Sequence, residues 1–121
     1  MNIEPKQPVA VGYCRAEHSH ELDQLKARIR EFAAAEGFHF RGLHCDRGRA
    51  ANGLRSARGL ALALGAECLI VANIGQFGRS HAFALGIIEA LDRDGIRVVS
   101  IAAAQSAVVA HEASDRQGGN P

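Results

Sequence analysis

Tryptophan is absent, tyrosine occurs once and lysine only twice in these 121 residues. With lysine so scarce, twelve of the fourteen basic side chains are arginine, the cation suited to bidentate contact with oxyanions. Basic and acidic residues nearly cancel, leaving a formal charge of +1, so bulk charge gives no pull toward nucleic acid or a lipid surface. No apolar run approaches the roughly 20 residues of a membrane span. Residues 1–7 hold no apolar core of a secretion signal and read as an N-terminal extension. Cys14, Cys45 and Cys68 form no even framework and lie in or beside strand-like segments, which predicts reduced thiols and a cytoplasmic setting. The remainder, 47% hydrophobic and 22% charged, is ordinary for one globular domain able to bury a core without disulfides or a structural metal.

Short apolar runs alternate with helical periodicity. Pro8 to Cys14 reads as a first buried strand, followed by a polar turn from Arg15 to His18. Ser19 is the expected N-cap of a helix whose Leu22, Leu25, Ile29 and Phe32 share a face and which Gly37 ends. Phe38 to Cys45 forms a second strand with one less buried face. Gly42 interrupts its alternation, which predicts a bulge or a close backbone approach in a strand toward the sheet edge. A Gly-rich loop from Asp46 to Gly53 precedes a helix over about 54–64, closed by Gly65. Cys68 to Ala72 is continuously apolar, as expected of a central strand. After the turn Asn73 to Arg79, Ser80 caps a helix that lines up Phe83, Ile87, Ile88 and Leu91 and stops at Gly95. Ile96 to Ile101 is the last strand, and residues 102–121 read as a short helix and a frayed tail.

The order β-α-β-α-β-α-β with short connections predicts a single α/β domain over residues 8–101, a parallel sheet with helices on both faces. In such a sheet the loops after the strands gather at the carboxyl edge, where ligands bind. That edge collects Arg15 after the first strand, Arg47 and Arg49 after the second, and Arg79 with Gln76 after the third; Arg58 on the second helix leans toward it. These six residues are the candidate anion site, aided by helix N-termini that favour negative charge. The competing expectation is that the arginines are solvated surface cations paired to Glu17 or Asp46, and that Gln76 caps the strand end. His18 and His20 with Glu17 and Glu21, or His44 and Cys45 beside Cys14, lack zinc spacing, so no metal or cofactor is expected.

Tyr13-Cys14-Arg15-Ala16, the helix opening Leu22-Asp23-Gln24-Leu25, and Gly78-Arg79-Ser80 after an apolar strand resemble the catalytic domain of serine recombinases, the resolvase and invertase family. That family shows a Tyr-x-Arg-Val-Ser start, a Leu-Asp-x-Gln helix opening and a Leu-Asp-Arg-Leu-Gly-Arg-Ser turn. Asp46 and the Gly-rich loop stand where the family has a mobile loop, and Gly59-Leu60 resembles the end of its Arg-Pro-Gly-Leu element. The resemblance spans Val9 to Ile101 and implies a three-layer, resolvase-like (flavodoxin-like) sheet, with Arg15 and Arg79 in place of two catalytic arginines. It also marks departures. Glu17 occupies the position of the nucleophilic serine, Gly75 and Gln76 replace the aspartate and first arginine of the turn, and the loop arginine falls near Ala57. Phosphoryl transfer to a protein hydroxyl needs that hydroxyl and clustered positive charge, and both are depleted.

The expectation is therefore against an enzyme at this site. It favours a recombinase-like domain acting as a homo-oligomer or through a protein partner, with weak affinity for phosphate or the DNA backbone. Two alternatives stay open: rebuilt chemistry on a small phosphorylated or nucleotide substrate, and an active DNA recombinase domain. The family continues into a long helix and usually a helix-turn-helix reader, for which the residues after Ile101 leave no room, so sequence-specific DNA binding by this chain alone is not expected.

Overall fold

Alternation along the first strand, β1 (Val9–Ala16), sorts its side chains between two cores. Val9, Val11 and Tyr13 face one side of the sheet, and Ala10 and Cys14 face the other. A computed structural model describes residues 7–78 and 80–106. It places β1 beside β2 (His39–Arg47) on one flank and β3 (Cys68–Val71) on the other, with β4 (Arg97–Ser100) beyond β3. All three pairings are parallel and the order is β2-β1-β3-β4. Helix α1 (Ser19–Ala35) covers one face through Leu22, Ile29 and Ala33. Helices α2 (Asn52–Leu64) and α3 (His81–Arg93) cover the opposite face through Ala57, Ala61, Ala84 and Leu91. This is the expected three-layer α/β domain. β3, apolar throughout, is buried along its whole length between the two layers.

Strand β2 lies at the sheet edge as its half-polar pattern predicts, and it carries the expected irregularity. Ala10 pairs with Phe40 and Val11 with Gly42, so Arg41 is the extra residue of a bulge. Phe40 and Leu43, three apart, consequently pack on the same α1-side core. Gly42 also permits a close approach, since a β-carbon there would stand 2.6 Å from Cδ2 of Leu60 on α2.

Several boundaries differ from expectation. β1 and β2 run on to Ala16 and Arg47, because Arg15 pairs with Asp46 and Ala16 with Arg47. Arg15 and Asp46 are thus strand residues, not loop residues. Ser19 is the first residue of α1 and not its cap; extended His18 takes the N-cap position without a side-chain bond. The turn after β3 contains a 3-10 helix, Ile74–Phe77, that periodicity does not reveal. Phe83 leaves its expected apolar face and is 58% exposed, while Ala84 fills the core position. Ser80 is the N-cap of α3 as expected, its hydroxyl accepting a hydrogen bond from the Phe83 amide at 3.1 Å. Residues 101–106 are helical, and Ile101 seats this segment in the α1-side core. Expectations for residues 1–6 and 107–121 fall outside the described residues. Among the described residues, no helix is long and apolar enough to cross a membrane.

Candidate functional site

In a β2-β1-β3-β4 sheet the chain reverses its direction of winding between β1 and β3, and at such a point the two following loops part to leave a crevice. Arg15 near the end of β1 and Gln76 in the 3-10 helix after β3 meet there. The Arg15 amide donates to Gln76 Oε1 at 2.6 Å, and Arg15 Nε donates to the Gln76 carbonyl at 3.2 Å. Arg15 Nη1 donates to the carbonyls of Gly48 and Ala50, both at 2.7 Å. Its Nη2 lies 3.6 Å from Asp46 Oδ2. The guanidinium, 20% exposed, is therefore spent mainly on the protein's own oxygens.

Behind Arg15 sits Asp46, the one buried charged side chain among the described residues. The Tyr13 hydroxyl donates to its Oδ2 at 2.7 Å, and the amides of Gly53 and Leu54 donate to Oδ1 and Oδ2 at 2.7 and 3.0 Å. Ala51, the N-cap residue of α2, has no side-chain acceptor for the helix's first amides, and Asp46 reaches across from β2 to supply one. Gly53 is required at this approach, because a β-carbon there would overlap the Cys45 carbonyl oxygen and stand 2.8 Å from Asp46 Oδ1. The Tyr13 ring stacks on Phe77 of the 3-10 helix, with centroids 6.1 Å apart and planes within 4°. One network thus joins the ends of β1 and β2, the loop after β2, the start of α2 and the turn after β3.

Burial, reinforced by the hydrogen bond to Asp46, raises the Tyr13 phenol well above its ordinary range, with Arg15 opposing. Tyr13 is the only tyrosine, so tyrosinate absorbance reads this group alone. The folded protein is expected to resist phenol ionisation well past pH 10, near which an unfolded tyrosine titrates. By linkage, the stabilisation is complete below the unfolded value and is lost as pH climbs toward the folded one. Tyrosinate appearing near pH 10 without unfolding would contradict the buried network.

Two clefts flank the Arg15–Gln76 contact. One, of about 600 Å³, lies toward α1 and is lined by Arg15, Glu17, Glu21, Gln24 and Arg28 with Gln76. The other, of about 690 Å³, lies toward α2 and α3, between Arg15, Glu17, Arg49, Leu54, Phe77 and Phe83. Glu17 borders both clefts, so each mouth carries a carboxylate beside the arginine.

Of the six candidate anion ligands, the structure brings Arg15 and Gln76 into contact and sets Arg49 on the second cleft. Arg47 is exposed and donates from Nε to the Glu17 carbonyl at 2.9 Å. Arg58 does not join them: it pairs with Asp94 past the far end of α3, Nη2 to Oδ2 at 2.8 Å. Arg79 falls outside the described residues. Asp46, expected as a loop carboxylate that pairs a solvated arginine, does pair with Arg15, but its burial is what periodicity missed. Its signal was the register itself, a carboxylate one residue beyond a cysteine that pairs with Cys14. Ser80, bound to the Phe83 amide, acts as a helix cap. Among the described residues, no three metal-binding side chains gather closely enough to hold an ion.

This architecture is the fold of serine recombinase catalytic domains. A resolvase family site-specific recombinase from Streptococcus pneumoniae superposes with a TM-score of 0.68 at 16% identity, over 92% of this chain and 91% of that one. The N-terminal catalytic domain of TP901-1 integrase gives 0.66 at 14% identity, over 91% and 98%. The C-terminal catalytic domain of ISC1926 TnpA, an IS607-like serine recombinase, gives 0.67 at 17% identity, over 76% and 68%. No protein-family model matches the sequence, and no curated protein matches it.

Proposed function

We propose that this chain is a recombinase-fold module without strand-cutting chemistry, acting by association with a second copy or a protein partner and keeping weak contact with the DNA backbone. One observation carries the reading. At the crevice, where recombination chemistry requires a hydroxyl nucleophile and free cations, Glu17 presents a carboxylate and Arg15 is engaged by its own protein. A carboxylate repels an incoming phosphodiester, and a guanidinium already bonded to three carbonyls has little left to stabilise a phosphoryl transition state. Exposed apolar side chains support the associative part: Leu62 on α2, with Phe83 and Leu85 on α3, lies on the helical layer opposite α1. Arg49 on the second cleft and exposed Arg47, bonded to the Glu17 carbonyl, supply the backbone contact.

The test is incubation with supercoiled plasmid followed by denaturing electrophoresis. The expected result is unchanged supercoiling and no protein attached to DNA; a covalent protein–DNA species would overturn the proposal. Sedimentation across protein concentration reads association separately, and monomer mass at every concentration, alone and with cell extract, would remove that half. Glu17→Ala is expected to tighten DNA binding by about threefold to tenfold, the scale of one removed like charge near a phosphate in a partly screened cleft. Equal retention of variant and parent on DNA at low salt would place the carboxylate away from the bound backbone.

A further inference from the structure

Cys14 and Cys45 face each other directly across the β1–β2 ladder, one rung before Arg15 and Asp46. Both side chains lie on the α1-side core, Cys14 buried and Cys45 half-buried, and both are free thiols. Neighbouring strands run about 4.8 Å apart, inside the roughly 4.4–6.8 Å between α-carbons that a disulfide spans. The site described above uses neither thiol. We infer that Cys14 and Cys45 form an oxidisable dithiol whose substrate is a hydroperoxide, with Cys45 the group attacked and Cys14 the group that resolves it.

The roles follow from exposure. Cys45 reaches the surface, whereas Cys14 is fully covered, and burial together with the neighbouring Cys45 pushes the Cys14 thiol up to about 11. Lys26 and Arg30 on α1 and Asp46 on β2 also act on Cys14, the two cations downward and the carboxylate upward. Cys14 therefore stays protonated and is a poor first nucleophile. In the first step, Cys45 sulfur attacks one peroxide oxygen, the O–O bond breaks and the thiol proton goes to the departing oxygen, giving a sulfenic acid and one water from hydrogen peroxide or one alcohol from an organic hydroperoxide. In the second, Cys14 sulfur attacks the sulfenic sulfur, its proton leaves with the departing hydroxyl as water, and the S–S bond forms. Two electrons pass from the thiol pair to the peroxide, and nothing else is consumed.

Trypsin separates the three cysteines, since Cys14 lies in residues 7–15, Cys45 in 42–47 and Cys68 in 59–79. Native protein is treated with hydrogen peroxide, alkylated, digested without reduction and read by mass spectrometry. The expected principal product joins residues 7–15 to 42–47, lighter than the two reduced peptides by two hydrogens and restored by dithiothreitol. The same treatment in urea should yield all three pairings, so selectivity in the folded chain is the readout. Cys14→Ser is expected to halt Cys45 at the sulfenic acid, captured by dimedone, and Cys45→Ser to leave Cys14 reduced. Three results would overturn the inference: Cys45 passing to sulfinic acid while Cys14 stays free, linkage through Cys68 in the native protein, or all three thiols surviving peroxide that links them in urea. The unsubstituted chain decides the matter even if Cys14→Ser folds poorly.

Discussion

Asp46→Ala is expected to destabilise the fold by about 3–5 kcal/mol, the range for removing one partner of a buried charged pair. The loss has three sources. The Tyr13 hydroxyl keeps its burial and loses its acceptor, the Gly53 and Leu54 amides at the start of α2 lose theirs, and Arg15 loses its carboxylate. Native stabilities run about 5–15 kcal/mol, so this one change removes a large fraction of the total. Asp46→Asn retains an acceptor oxygen but adds two donors beside amides that are already donors, and it should recover less than half of the loss. Chemical denaturation followed by helix signal measures both variants. A shift below about 1 kcal/mol for the alanine variant, the worth of one ordinary hydrogen bond, would mean that Asp46 is not the centre of the network.

Arg15→Lys should fall measurably short of the parent, between it and Arg15→Ala, and that shortfall is the diagnostic result. A lysine keeps the charge opposite Asp46, but its single ammonium cannot hold the Gln76 carbonyl, bound by Nε, together with the Gly48 and Ala50 carbonyls, bound by Nη1. Three lost hydrogen bonds at about 0.5–1.5 kcal/mol each put the cost of Arg15→Ala at about 2–4 kcal/mol, and Arg15→Lys, which loses at least the bond to the Gln76 carbonyl, at about 0.5–1.5 kcal/mol or more. The loop after β2 should loosen first, because its carbonyls are held from across the crevice. Limited trypsin digestion reports this directly, with cleavage after Arg47 and Arg49 accelerating at least tenfold over the parent. A lysine variant as stable and as resistant as the parent would show that Arg15 is free to serve a ligand, and would revive the anion site that the sequence suggests.

The layered sheet was legible because its determinants are local. The apolar runs around Val11 and Ile70, the helical spacing of Leu22 and Ile29, and the stops at Gly37, Gly65 and Gly95, all with positive φ, each act within a few residues. The interruption at Gly42 was equally readable, since alternation fails there in the sequence itself. The site was legible only in outline. That Arg15 and Gln76 share an edge follows from topology, but whether a guanidinium faces water or a carbonyl depends on loop conformation, which spacing does not encode. Arg58 carries the same lesson: its helix begins at the crevice, yet its side chain pairs with Asp94 beyond the far end of α3. The burial of Asp46 was missed for a related reason. A carboxylate beside Gly-rich sequence reads as solvated, and only strand pairing with Arg15 reveals that it is enclosed.

The extra residue at Arg41 reaches further than a local kink. Counting by twos from Phe40 along an unbroken strand would send residues 42, 44 and 46 toward α1, carrying the acid away from Tyr13 and from the start of α2. The inserted position resets the phase, so the thiol of Cys45 turns toward α1 and the carboxylate of Asp46 turns inward beneath Arg15. A single added link at the outer margin of the sheet thus decides, five residues downstream, which chemistry each side of the molecule receives.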